Sequence, residues 1–148
     1  MLTGSTSILV VDDERYICEF VRFVLADAGY LTRVAQNGPD AIDVVAAGGY
    51  PDLLVTDVKM PQMHGDELAA RLRHGKPDLK VLFLTGLSRE LFARHGALGE
   101  GEALLEKPCS AKEILQGVSQ LLAGTPADSF TRGQPSMRVI GRAGAPDV

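Results

Sequence analysis

The sequence predicts an α/β fold in which five parallel strands alternate with five helices, and the helices cover both faces of the sheet. Three observations predict it. Short apolar runs alternate along the chain with segments whose apolar residues recur at helical spacing. Several of those runs are unbroken hydrophobic stretches, as strands buried on both faces must be. At 148 residues the chain has room for one such domain and a short appendage, not for two domains.

Each element has a local reason. Ser7 to Val11 is a continuous apolar run that ends in Asp12-Asp13. Ile17, Phe20, Val21, Val24, Leu25 and Ala28 follow at helical spacing, and Gly29 supplies the stop. Leu31 to Ala35 reads as a weak second strand, and Asn37 caps a helix that runs through Ala47 to Gly48-Gly49. Asp52 to Val58 is the third strand. A loop with Pro and Gly, Lys59 to Gly65, leads to a helix through about His74. Lys80 to Thr85 is the fourth strand, followed by a helix over Ser88 to His95; Ala103 to Lys107 is the fifth. Ser110 and Glu113 form a capping box before the apolar face of Ile114, Leu115, Val118, Leu121 and Leu122.

Composition changes near Gly124, so residues 1–124 read as the domain and 125–148 as a flexible tail. The last 24 residues hold three Pro, three Gly and two Ser. Met137, Val139 and Ile140 offer a small docking motif there, with a solvated tail as the favoured reading. Fifteen Lys and Arg against 19 Asp and Glu give a net charge of -4, which lacks the basic footprint of a DNA binder. With 5% aromatic residues and no Trp, base-stacking platforms are not expected either. Two cysteines, Cys18 and Cys109, suit a reducing compartment. No apolar run approaches the roughly 20 residues of a membrane helix, and residues 1–7 lack the pattern of a signal peptide. A cytoplasmic protein is expected, with no membrane contact.

In an open parallel sheet, ligands sit beyond the carboxyl ends of the strands. Those ends carry Asp12-Asp13, Asp57, Thr85 and Lys107. Each alone is weak evidence: an Asp at a strand end is usually a turn former or helix cap, Thr85 an ordinary strand residue, and Lys107 a solvated terminus. Together they suggest one chemistry. Clustered carboxylates repel, and a hard divalent cation keeps them ionised. Mg2+ suits such oxygen ligands and retains waters for phosphate oxygens. A carboxylate can then attack phosphorus to give an aspartyl phosphate. Lys107 would balance the developing charge, and the Thr85 hydroxyl would bond a phosphoryl oxygen.

From about residue 5 to 123 the chain resembles the receiver domains of two-component response regulators. The resemblance rests on Val10-Val11-Asp12-Asp13-Glu14, Leu54-Val55-Thr56-Asp57, Met60-Pro61-Gln62-Met63-His64-Gly65, Leu84-Thr85-Gly86 and Glu106-Lys107-Pro108, in family order. It implies a flavodoxin-like doubly wound sheet of strand order 2-1-3-4-5. It also implies that Asp57 accepts a phosphoryl group from a histidine kinase or phosphotransfer protein. Asp13 and Asp57 would ligate Mg2+ directly, Asp12 would act mainly through water, and the backbone carbonyl of Lys59 would supply another ligand. The bond before Pro108 would be cis. Three departures bear on output. Leu104 stands where many receivers place Tyr or Phe, Cys109 where Phe is frequent, and Lys59 can either bend over the phosphoryl group or remain solvated.

The rival enzyme reading is a haloacid-dehalogenase-like phosphatase, which needs a second Asp two positions after its nucleophile. Lys59 stands there, so turnover of an external substrate is not expected. Neither G-x-x-x-x-G-K nor G-x-G-x-x-G occurs, which argues against nucleotide binding. Asp12-Asp13-Glu14 would repel a flavin phosphate. His64, His74 and His95 share no metal-ligand spacing and are expected at the surface, and Arg89 and Arg94 settle nothing. The expected output is protein–protein interaction or phosphorelay, because a 24-residue tail is too short for a DNA-binding domain. A detached receiver module of a hybrid histidine kinase is the alternative.

Overall fold

The computed structural model describes residues 6–86, 98–124 and 137–138. Its strands are β1 (Ser7–Val11), β2 (Leu31–Ala35), β3 (Leu53–Thr56), β4 (Lys80–Thr85), β5 (Glu102–Glu106) and β6 (Met137–Arg138). Its helices are α1 (Arg15–Asp27), α2 (Gly38–Gly48), α3 (Gly65–Leu72) and α4 (Ala111–Ala123). The expected helix over Ser88 to His95 lies outside the described residues, as does the tail apart from β6.

β1 to β5 are parallel in the order 2-1-3-4-5, as expected. Side chains alternate across this sheet, so successive residues of one strand enter opposite layers. Leu9, Val11, Leu54, Val81, Phe83 and Leu104 pack with residues of α2 and α3. Ile8, Val10, Leu53, Val55, Leu82, Leu84, Ala103 and Leu105 pack under α1 and α4. This two-sided burial is why the strands read as continuous apolar runs.

The helix ends follow the local signals. Asn37 accepts from the Asp40 N–H at 2.7 Å to cap α2, and Ser110 and Glu113 complete the capping box of α4. Gly29 takes the left-handed conformation (φ 101°) that lets the chain reverse after α1.

The bounds of two strands, expected over Asp52 to Val58 and Ala103 to Lys107 but observed over Leu53–Thr56 and Glu102–Glu106, and the strand count differ from expectation. β3 ends at Thr56, with Asp57 just beyond it, although the Asp57 N–H still bonds to the Val11 carbonyl at 3.0 Å. β5 begins at Glu102, a buried polar residue that an apolar pattern omits. It is stabilised by an ion pair with Arg73, whose guanidinium also donates to the Leu79 carbonyl at 2.7 Å. A sixth strand, β6, lies antiparallel to β5 from within the segment read as tail.

Candidate functional site

The strand order reverses between β1 and β3, and the crevice above that point is where open α/β sheets bind ligands. Asp12 and Asp13 leave β1 on one side of it and Asp57 leaves β3 on the other. Carboxylate oxygens of all three lie within 4.8 Å of one another. Asp12 is 2% exposed, Asp57 9%, and Asp13 opens to solvent.

Lys107 joins the two buried carboxylates. Its Nζ lies 2.8 Å from Asp12 Oδ2 and 3.5 Å from Asp57 Oδ2. Its backbone N–H donates to the Thr85 carbonyl at 3.0 Å, so the end of β4 anchors the lysine that follows β5 and spans the crevice. The Lys107–Pro108 bond is cis. Thr85 is buried at the end of β4, beside Glu106 in register. Lys59 follows two residues after Asp57, with its side chain exposed. The structure thus gathers Asp12, Asp13, Asp57 and Lys107 around one crevice, with Thr85 and Lys59 at its margins.

Desolvation pushes the Asp57 carboxyl up to about 6, against the attraction of Lys107, while Asp12 and Asp13 add repulsion in the same direction. The Val58 N–H, donating to Asp57 Oδ1 at 2.8 Å, opposes the rise. Burial alone would lower Lys107, yet its hydrogen bond to Asp12 and the charges of Asp57, Asp12 and Glu14 together raise it. The lysine therefore stays charged, and the carboxylates outnumber it. A divalent cation fits that imbalance, since the donors are hard oxygens and one of them faces water.

Three residues support the site in ways the sequence reading did not assign. Gly65 opens α3 where a Cβ would stand 1.9 Å from the Asp57 carbonyl oxygen, so only glycine permits this approach of helix and strand end. The Gly65 N–H donates to the Val58 carbonyl at 2.7 Å. Cys18 donates through Sγ to the Asp12 carbonyl at 3.2 Å, and its spacing from Val21 and Leu25 places it on the buried face of α1. The Glu14 N–H donates to Asp12 Oδ1 at 2.9 Å and holds the carboxylate. His64, expected at the surface, is half-buried at the start of α3 with Nδ1 enclosed, while His74 is exposed. Cys109 is a half-buried filler under α4, and desolvation pushes its thiol up to about 11.

The sequence profile of the response regulator receiver domain matches residues 8–119. The chain is 34% identical over 122 residues to the sensor kinase CckA of Brucella abortus, covering 82% of this chain and 13% of the kinase. It is 36% identical over 121 residues to the response regulator MprA of Mycobacterium sp. (strain KMS), covering 82% of this chain and 52% of that regulator. It therefore spans about half of the regulator and a small part of the kinase. Among solved structures, the response regulator TrrA of Thermotoga maritima, in complex with Mg2+ and BeF, superposes with a TM-score of 0.68 at 32% identity. That match covers 78% of this chain and 98% of TrrA.

Proposed function

The chain belongs to the response regulator receiver domains of two-component signalling, phosphoryl-accepting modules that bind Mg2+ at an acidic site, and on that premise we propose that Asp57 is its phosphoacceptor. The observation that carries the proposal is the crevice in which Asp12, Asp13 and Asp57 converge while one lysine spans the two buried carboxylates. An Asp57 oxygen attacks the phosphorus of a phosphohistidine on a histidine kinase or phosphotransfer protein. The P–N bond breaks as the new P–O bond forms, and the departing imidazole keeps the electron pair and takes up a proton.

Lys107 Nζ reaches the phosphoryl oxygens as they gain charge, and the Thr85 hydroxyl completes their coordination after a local movement of its loop. Asp12, Asp13, Asp57 and the Lys59 backbone carbonyl would hold Mg2+, which would supply positive charge to neutralise the transferring group. The Val58 N–H orients the acceptor carboxylate through its 2.8 Å bond. Turnover is confined to formation and loss of this one acyl phosphate, because Lys59 replaces the acid–base Asp of a phosphatase.

The output we infer is phosphorelay or binding to another protein in the cytoplasm, without direct DNA contact. Leu104 supports relay: it is wholly buried opposite Phe83, so this β5 position has no aromatic ring to swing between surface and core. Similarity to part of the kinase CckA favours a second reading, a receiver module cut from a hybrid histidine kinase. Among the described residues, no helix is long and apolar enough to cross a membrane.

Intact-mass spectrometry after incubation with a small-molecule phosphodonor tests the acceptor. One Mg2+-dependent phosphoryl adduct is expected on the wild type and none on Asp57→Asn. An adduct that persists in the variant, or none in either protein, overturns the assignment. The decay rate of the adduct separates a short-lived relay from a durable switch.

A further inference from the structure

β6 sets Arg138 opposite Leu104 and Met137 opposite Leu105. Without it, β5 would end the sheet. An edge strand presents unpaired N–H and C=O groups to any extended segment that reaches it. The chain places such a segment within reach. Twelve residues separate Gly124, at the end of α4, from Met137. A tether of that length holds the segment at an effective concentration of about millimolar order.

The local sequence suits a short strand. Ser136-Met137-Arg138-Val139-Ile140 contains β-formers in an otherwise Pro- and Gly-rich stretch. Pro135 before it has no N–H to donate, and Gly141 after it weakens further pairing. Among the described residues the pairing spans two positions, and a pairing of that length is displaceable.

We infer that the outer edge of β5 is a strand-docking surface which this chain covers with its own 137–138 segment. A protein that adds an extended strand to β5 must first remove that segment, so the tail sets a threshold for access. The edge lies beside Lys107, one residue past the end of β5, but the inference does not depend on phosphorylation and its test uses unmodified protein.

Residue-resolved amide hydrogen exchange on the full chain decides it, comparing wild type with Met137→Pro and Arg138→Pro. The β5 amides that face β6 should exchange at least ~10-fold faster in both variants, while β1 and β3 are unchanged. Arg138→Lys, which leaves the backbone N–H in place, should exchange like wild type. A synthetic peptide of residues 134–140, at about millimolar concentration, should restore protection to Met137→Pro. Equal exchange in wild type and both proline variants would overturn the pairing. Failure of the peptide to protect would overturn the docking surface. Wild-type protection that rises with protein concentration would replace cover in cis with strand exchange between copies.

Discussion

Asp57→Asn removes the residue proposed to react, yet it should stabilise the protein when Mg2+ is withheld. The ordinary carboxyl value of 3.8 rises to about 6 in the folded chain, and desolvation is the largest cause. A shift of that size corresponds to about 3 kcal/mol at 1.36 kcal/mol per tenfold change. The crevice opens to water on the Asp13 side, so screening reduces the figure to about 1–2 kcal/mol. The attraction of Lys107 is already included in the rise, because it acts in the opposite sense. Asparagine keeps an oxygen for the Val58 N–H, and Lys107 keeps Asp12.

The sign follows from proton linkage. The folded chain holds the Asp57 proton more tightly than the unfolded chain, so this group's favourable contribution is complete below 3.8 and is lost as pH rises through about 6. Urea titrations with a chelator present should show wild type and Asp57→Asn equal at the acid end of that window. Above it, the variant should be more stable by about 1–2 kcal/mol. Adding Mg2+ should stabilise the wild type in proportion to RT ln(1 + [Mg2+]/Kd) and the variant much less, narrowing or reversing the gap. A variant less stable than wild type at neutral pH without Mg2+ would refute the reasoning. It would mean that the Lys107 attraction outweighs burial.

Lys107→Ala strands the buried Asp12 carboxylate and should cost about 2–3 kcal/mol in the same titration, with partial recovery in Lys107→Arg. Gly65→Ala forces a Cβ against the Asp57 carbonyl oxygen and should cost about 1–3 kcal/mol, read as a lower urea midpoint. Burial pushes both the Cys18 and Cys109 thiols up to about 11 from 9.0. Iodoacetamide at neutral pH should therefore label them about 100-fold more slowly in the folded protein than in urea, as intact mass would show.

What was legible in the sequence follows from what each pattern encodes. Ser7–Val11, Leu31–Ala35 and Lys80–Thr85 match their expected bounds because each is set by its own side chains and the next turn signal. Glu102 could not be assigned to β5 from its neighbours, because Arg73, the partner that permits its burial, lies 29 positions away. β6 is harder still: two residues in a Pro-rich stretch become a strand only because β5 offers an edge. Gly65 stood inside a quoted motif, but its necessity is steric and shows only when the start of α3 meets the end of β3.

The site was more legible than these details, for a topological reason. Parallel strands joined by crossover helices all end on one rim, so polar residues at strand ends converge whatever their spacing along the chain. Asp12 and Lys107, 95 positions apart, meet at 2.8 Å by that rule. The rule places side chains but not their energetics. Asp12 and Asp57 leave neighbouring strands and are both buried, yet Asp57 has the more distant lysine contact, 3.5 Å against 2.8 Å. That asymmetry leaves Asp57 with the weaker hold on Lys107, so the phosphoryl group proposed to arrive there would meet an ammonium anchored mainly to Asp12. Charge transferred onto Asp57 would strengthen its claim on the lysine that follows β5.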